Sequence, residues 1–295
     1  MPMLQRIQLM LEMIRFSHTV FALPFALLSA SLAWQVKGQF QWLELVGILL
    51  CMIFARSTAM AFNRLSDRRF DAANPRTAMR HLPAGHLRPT GVWVFTIICA
   101  AGFVVSTTIF YFEDNPWPLY LSVPVLLFIM SYSYTKRFTS WSHFWLGASL
   151  MLAPIGSWIA VLGMRDLLLP VVLGSAVLCW VAGFDILYAC QDIDFDRRVG
   201  LYSVPARLGI PWALKLALGC HLAMIGLLLV LWVVSSHLGW IFLGGVIAVA
   251  VLLIYEHWLV QPSDLTRINT AFFYVNGVIS GGLLVVVWLQ LAIKV

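Results

Sequence analysis

The chain has 295 residues, of which 61% are hydrophobic and 11% are charged, and its formal net charge is +6. Soluble globular domains are about half apolar and about a quarter charged, so this composition excludes a soluble enzyme and a disordered or disulfide-stapled chain. At about 20 apolar residues per membrane span, the length is sufficient for about nine spans with short loops. We therefore predict an all-α, polytopic membrane bundle that forms a single integral-membrane domain over residues 1–295.

Nine apolar runs are long enough to be transmembrane helices. They are bounded by charged residues, Gly or Pro, and occupy residues 17–36, 42–65, 91–111, 118–134, 143–162, 167–190, 211–235, 239–259 and 268–292. Most Lys and Arg residues lie before the first run or after the even-numbered runs. Because basic residues accumulate on cytoplasmic loops, this distribution predicts a cytoplasmic N-terminus, and it explains the net charge without any nucleic acid.

Two long polar connections, 66–90 and 191–210, follow the second and sixth predicted helices, so we expect both as cap loops on the cytoplasmic face. The second helix ends in Asn63, Asp67 and Asp71. Steps of four residues place these side chains on nearly the same face of a helix. Arg56 precedes Asn63 by seven residues and shares that face, about 10 Å deeper in the membrane.

A second acidic cluster ends the sixth helix. Asp192 and Asp196 are four residues apart, and Asp185 precedes Asp192 by seven, so the spacing again predicts one shared helix face. An ionisable side chain within a membrane span is costly unless it is paired. We therefore expect Arg56 and Asp185 to form a buried pair at the floor of a cavity, either as a structural bridge or as part of a binding site.

Carboxylates repeated one helical turn apart at the mouth of a bundle suit a hard divalent cation. Mg²⁺ is usually held by a few carboxylates, with phosphate oxygens completing its coordination shell, so the predicted ligand is a diphosphate. Basic side chains near the acids would neutralise its remaining charge. These are Arg64, Arg68, Lys136, Arg137, Arg197 and Arg198. The alternative is that the acids pair with neighbouring arginines as solvated helix caps, but two matched clusters favour the metal.

These motifs resemble those of a known family. Asn63-x-x-x-Asp67-x-x-x-Asp71, Asp192-x-x-x-Asp196 and about nine spans are similar to the UbiA superfamily of intramembrane aromatic prenyltransferases. Segments 74–85, 132–137 and 200–205 resemble the same family, and segment 15–27 resembles its 4-hydroxybenzoate polyprenyltransferase-like branch. That branch also includes enzymes of the futalosine route to menaquinone. One departure is Arg64, which stands where many members have an aspartate.

The resemblance implies Mg²⁺-dependent transfer of a polyprenyl group from polyprenyl diphosphate to an aromatic acid, 4-hydroxybenzoate above all, in ubiquinone or menaquinone biosynthesis. It implies that the metal ligands are Asn63, Asp67, Asp71, Asp192 and Asp196, of which the four acids are also catalytic. The basic residues expected to bind the diphosphate are Arg68, Lys136, Arg137 and Arg197. The candidate acceptor-binding residues are Arg15, His18, Arg56 and Asp185. Arg56 or Arg15 would bind the acceptor carboxylate, and Asp185 would orient Arg56 or take up a proton. A dihydroxynaphthoate is the alternative acceptor.

The other histidines are expected to be mostly solvated or interfacial. His81, His86, His143 and His257 are assigned to polar loops, and His221 and His237 to span ends.

A rival function of another class is a secondary transporter, which would also keep charged residues within its spans. The acids at the cytoplasmic helix ends, rather than at the midplane, argue against it. We predict a multi-pass protein of the inner (cytoplasmic) membrane. Its expected partners are polyprenyl diphosphate, an aromatic acid and the lipid bilayer, with no nucleic acid and no obligate protein partner.

Overall fold

The computed structural model describes residues 3–14, 21–262, 265 and 267–293. Its helices are α1 (Met3–Met13), α2 (Leu23–Lys37), α3 (Trp42–Ala73), α4 (Pro89–Tyr111), α5 (Trp117–Thr135), α6 (Ser142–Leu162), α7 (Leu168–Ala189), α8 (Ile193–Val199), α9 (Val204–Leu208), α10 (Ile210–Val234), α11 (Trp240–Leu259), α12 (Ile268–Thr270) and α13 (Asn276–Ile293). A 3₁₀ turn (Cys190–Asp192) joins α7 to α8, and a π-helical turn (Ala271–Val275) joins α12 to α13.

Eight helices of the described chain are long and apolar enough to cross a membrane. They coincide with the second to ninth predicted spans, so the predicted all-α, polytopic class is confirmed. The first predicted span, 17–36, begins outside the described residues, and its described part is the 15-residue helix α2. The largest differences are at the end of α3 and the start of α13. Helix α3 continues beyond the apolar run to Ala73 and carries the first acidic motif, and α13 begins only at Asn276.

The chain divides into two compact units. One comprises Met1–Thr19 and Leu43–Tyr134, and the other comprises Val20–Trp42 and Thr135–Val295. The first unit therefore contains α1, α3, α4 and α5, apart from one terminal residue each of α3 and α5. The second unit contains α2 and α6 to α13. The single domain expected over residues 1–295 stays a prediction.

In the first unit, α1 packs against α3 and α4 through apolar side chains. Met13 and Ile14 belong to one buried cluster with Ala61 of α3 and Val92 of α4. With 11 residues, α1 is too short to cross a membrane, which is why no span was predicted there. Helices α3 and α4 approach closely at Gly47, where any side chain would collide with the ring of Phe110.

In the second unit, α7 packs against both α6 and α10, and its middle residues, such as Trp180 and Val181, are completely buried. The contact with α6 depends on Gly147. A Cβ atom at this position would lie 2.5 Å from the carbonyl oxygen of Leu178, so any larger residue would push the two helices apart.

Gln290 satisfies backbone donors at the start of α11. The first amide groups of a helix have no acceptor within the helix, and Gly239, which precedes α11, has no side chain to supply one. The Gln290 Oε1 atom accepts hydrogen bonds from the amides of Ile241 (3.1 Å) and Phe242 (3.2 Å). Because Gln290 lies on α13 and is buried, it joins the ends of two helices.

We expect Gln290→Leu to lower the stability of the protein, because two amide groups lose their acceptor and each unsatisfied buried group costs about 1–3 kcal/mol. The midpoint of thermal unfolding in detergent should fall by about 2–8 °C. The control is Gln261→Leu, which removes a glutamine with an exposed side chain and should leave the midpoint unchanged. Equal midpoints for the two variants would show that Gln290 does not cap α11.

Candidate functional site

The first acidic motif occupies the last turns of α3. Asn63 Nδ2 donates a hydrogen bond of 2.9 Å to Asp67 Oδ2, so the two side chains share a helix face as their spacing predicts. Asp71 lies one turn further on and is buried. Its Oδ1 atom accepts a hydrogen bond of 2.7 Å from Arg80 Nη1, which reaches back from the connection after α3. The motif is therefore linked to its own connection by an ion pair.

The second oxygen of Asp71 is chemically distinct from the first. Oδ2 is buried and has no hydrogen-bond partner within the described part of the chain. The backbone around it is held by Thr77, whose hydroxyl donates to the Asp71 carbonyl at 3.0 Å. A buried carboxylate oxygen without a donor is costly, so this arrangement favours a cation at Oδ2.

Arg64 orients the first residue of the motif. It is buried, its Nη1 atom donates to Asn63 Oδ1 at 3.4 Å, and its Nε atom donates to the Met13 carbonyl at 3.5 Å. The Asn63 amide therefore has its oxygen towards Arg64 and its nitrogen towards Asp67. For Asn63 to bind a metal, this amide has to turn over. Arg64, at which this chain departs from the pattern of the family that it resembles, thus links α1 to the first acidic motif.

The spacing of the second acidic motif predicted one continuous helix. The structure shows instead that the helix is interrupted within the motif. Helix α7 ends at Ala189, the chain passes through the 3₁₀ turn, and Asp192 precedes the first residue of α8 with φ −104° and ψ 7°. Aspartate favours such positions because its side chain competes with the helical backbone for hydrogen bonds. Asp185 on α7 and Asp196 on α8 therefore do not share a regular helix face.

Asp196, like Asp71 in the other unit, has a buried carboxylate oxygen without a hydrogen-bond donor among the described residues. The residue is buried, and the oxygen concerned is Oδ2. Lys136 and Ser203 lie close enough to act electrostatically on its carboxylate. The chain reaches Ser203 through Gly200, whose φ of 72° ends α8 in the left-handed region that glycine adopts easily. Each acidic motif thus holds one buried carboxylate oxygen that lacks a donor.

The predicted diphosphate-binding residues differ in their surroundings. Lys136 and Arg137 are half-buried in the connection after α5, and the Lys136 carbonyl accepts a hydrogen bond of 2.7 Å from the Tyr202 amide. Arg68 and Arg197 are exposed. Arg197 Nε also donates to the Ala206 carbonyl at 2.9 Å. Lys136 lies close enough to the second motif to act electrostatically on Asp196.

The predicted acceptor-binding residues are only partly described. Arg15 and His18 lie outside the described residues. Arg56 lies within the apolar part of α3 and is half-buried. The Asp185 Oδ2 atom lies 2.6 Å from His143 Nδ1, a contact that the sequence did not predict. The pairing of Arg56 with Asp185 stays a prediction.

The expectation that the histidines are mostly solvated is wrong for His143 and His221, which are 0% and 1% exposed. His221 Nδ1 lies 2.9 Å from His257 Nε2, so that pair joins α10 to α11 inside the second unit. His143 is the second residue of α6. The signal in the sequence was its spacing of four residues from Gly147, which places both residues on the face that packs against α7.

A preformed metal cluster is absent from the described residues, in which no three His, Cys, Asp or Glu side chains are grouped to hold an ion. The donor set nevertheless fits Mg²⁺. Carboxylates are hard ligands, and in each motif a buried aspartate oxygen lacks a hydrogen-bond partner among the described residues. Mg²⁺ typically takes one or two carboxylates and completes its shell with phosphate and water oxygens, so such a site needs no cluster of three acids.

The comparison with known proteins agrees with this chemistry. Residues 22–278 match the model of the UbiA prenyltransferase family. Among the similar proteins is a 4-hydroxybenzoate octaprenyltransferase of Tolumonas auensis, which is 30% identical over 261 residues, or 85% of this chain and 87% of the relative. A 4-hydroxybenzoate octaprenyltransferase of Marinobacter nauticus is 29% identical over 240 residues, covering 81% of this chain and 80% of the relative.

Solved structures support the same assignment. The apo structure of a UbiA homologue from Aeropyrum pernix K1 aligns with a TM-score of 0.81 and 29% identity, over 94% of this chain and 98% of the homologue. A UbiA homologue from Archaeoglobus fulgidus bound to GPP and Mg²⁺ shares the fold, with a TM-score of 0.70 and 18% identity, over 96% of this chain and 99% of that one. The resemblance inferred from the two acidic motifs is confirmed, and the chain belongs to the UbiA prenyltransferase family.

Proposed function

We propose that this protein transfers a polyprenyl group from polyprenyl diphosphate to an aromatic acid, with 4-hydroxybenzoate as the acceptor, in quinone biosynthesis. The observation that carries the proposal is the buried, donor-free carboxylate oxygen of Asp71 and of Asp196, on a chain of a prenyltransferase family. The names of the bacterial relatives support the acceptor. A dihydroxynaphthoate remains the second candidate acceptor, because the same acidic motifs serve either reaction.

The proposed metal ligands belong to both motifs. They are Asn63, Asp67 and Asp71 in the first unit, and Asp192 and Asp196 in the second. When bound, Mg²⁺ would withdraw negative charge from the diphosphate and make it a better leaving group. The residues proposed to bind the diphosphate are Arg68, Lys136, Arg137 and Arg197.

The proposed reaction breaks the bond between C1 of the prenyl donor and the diphosphate oxygen, with the bonding electrons leaving on oxygen. Lys136 and the other basic side chains stabilise the charge that develops there. The electron-rich ring of the acceptor forms a bond to the allylic cation at C1 and then transfers its ring proton to a base, for which Asp185 is a candidate. Arg56 or Arg15 is proposed to bind the acceptor carboxylate, and His18 and Asp185 are further candidates for contact with the acceptor.

We also propose a location and an orientation. Eight candidate spans and bacterial relatives support a multi-pass protein of the inner membrane. The distribution of basic residues favours a cytoplasmic N-terminus and a cytoplasmic location for both motifs. In this orientation the released diphosphate enters the cytoplasm, where Mg²⁺ is also available.

The test uses membranes that contain this chain, a labelled polyprenyl diphosphate and a panel of aromatic acids. The panel comprises 4-hydroxybenzoate, a dihydroxynaphthoate and benzoate, which lacks the activating hydroxyl group. We expect prenylated 4-hydroxybenzoate by mass spectrometry, no product with EDTA, and recovery with Mg²⁺. If only the dihydroxynaphthoate gives a product, it replaces 4-hydroxybenzoate as the acceptor. The absence of product with every acid would contradict the proposal.

The two acids of α8 provide a matched pair of variants. Asp196 is buried, whereas Asp194 lies two residues away and is exposed. We expect Asp196→Asn to lower kcat by about 100-fold or more, in the range seen when one group that stabilises a transition state is removed. Asp194→Asn makes the same chemical change and should stay within about twofold of wild type. Similar losses in both variants would show that the overall charge of α8, and not a ligand at Asp196, is what matters.

The ion pair of the first motif gives a second matched pair. Arg80→Ala leaves the buried Asp71 carboxylate without its 2.7 Å partner, and we expect kcat/KM to fall by about 5- to 100-fold because the acid loses its fixed orientation. Arg69→Ala removes the same charge from an exposed position of α3 and serves as the control. Wild-type kinetics for Arg80→Ala, measured with saturating Mg²⁺, would exclude a role for this ion pair.

A further inference from the structure

His143 lies at the junction of three elements of the second unit. It is the second residue of α6, its Nδ1 atom is 2.6 Å from Asp185 Oδ2 of α7, and its Nε2 atom is 3.2 Å from the amide of Val204, the first residue of α9. The side chain is 0% exposed. We propose that His143 is a positioning residue for the second acidic motif, holding segment 200–204 in place against α7. Its effect on catalysis rests on the proposed function.

The hydrogen bonds determine the form of the imidazole. The Val204 amide can only donate, so His143 Nε2 must be the acceptor and carries no proton. The ring proton is then on Nδ1 and is donated to Asp185. A doubly protonated ring would place two hydrogens between Nε2 and the Val204 amide. With Nε2 accepting from α9 and Nδ1 facing Asp185, His143 connects the start of α9 to α7.

The segment held by His143 borders Asp196. Its Tyr202 amide donates to the Lys136 carbonyl, and its Val204 amide donates to His143, so both acceptors come from the stretch between the end of α5 and the start of α6. Ser203 lies between these two contacts and caps α9 by accepting from the Ala206 amide. Ser203, Lys136 and His143 itself all lie close enough to Asp196 to act on its carboxylate, so a shift of this segment would change the surroundings of that acid.

The same geometry excludes a direct chemical role for His143. Both ring nitrogens are already engaged and the side chain has no exposed surface, so the imidazole does not contact a substrate. It acts through its proximity to the Asp196 carboxylate and through the groups that it holds. One of these is Asp185, whose side chain is 15% exposed and whose orientation is set by the 2.6 Å contact.

The test compares His143→Leu with His143→Gln. Leucine removes both hydrogen bonds, whereas the glutamine amide is neutral and offers one donor and one acceptor. Two readouts are used: hydrogen exchange of peptides that cover residues 200–204, and the Kd of farnesyl S-thiolodiphosphate, a donor analogue that resists cleavage, with Mg²⁺. We expect His143→Leu to speed exchange at Val204 by about tenfold or more and to raise the Kd by about tenfold. His143→Gln should stay within about threefold of wild type in both.

The control is His237→Leu, in the connection between α10 and α11, which should change neither readout. A double-mutant cycle with Asp185→Leu adds a second criterion. If the two residues act through their shared hydrogen bond, the double variant should change the exchange rate and the Kd no more than the more affected single variant does. Unchanged exchange at 200–204 in His143→Leu, or faster exchange with an unchanged Kd, would overturn the proposal. Failure of the wild type to bind the analogue would refute the proposed function instead. The exchange result would still test whether His143 holds segment 200–204 in place.

Discussion

A carboxylate oxygen that is buried without a hydrogen-bond donor is costly in a protein, and a nearby cation is one way to offset that cost. Among the described residues, this chain has one such oxygen in each acidic motif, on Asp71 and on Asp196. The other oxygen of Asp71 is satisfied by Arg80. Asp71 is therefore held in place by one oxygen while the other has no donor, an arrangement that suits the metal and diphosphate site proposed above.

Much of the local structure serves to hold these two acids. Helix α3 continues past its apolar run, so that Asp71 extends beyond the last hydrophobic turn, and the connection after α3 returns through Arg80. In the second unit, α7 stops at Ala189 and the 3₁₀ turn redirects the chain before Asp196. The two units therefore reach the same chemical arrangement by different means, one with a continuous helix and the other with a broken helix whose following segment is held by His143.

The spans and the first motif could be predicted because both depend on short-range patterns. Apolar runs determine which segments cross a membrane, and steps of four residues place Asn63 beside Asp67 on any helix. The break before Asp192 could not be predicted, because its spacing of four from Asp196 suits a continuous helix equally well. The burial of His143 and the orientation of Asn63 by Arg64 depend on contacts with residues distant in the chain, which spacing alone does not reveal.

The most direct test of the central claim is the position of the metal. A crystal structure with Mn²⁺ in place of Mg²⁺ and a prenyl thiolodiphosphate would locate the ions by their anomalous scattering. We expect Mn²⁺ bound to Asp71 Oδ2 and Mn²⁺ bound to Asp196 Oδ2, at about the 2.0–2.2 Å typical of such oxygen ligands, with diphosphate oxygens completing each shell. Well-ordered diphosphate with neither aspartate coordinating a metal would contradict the claim.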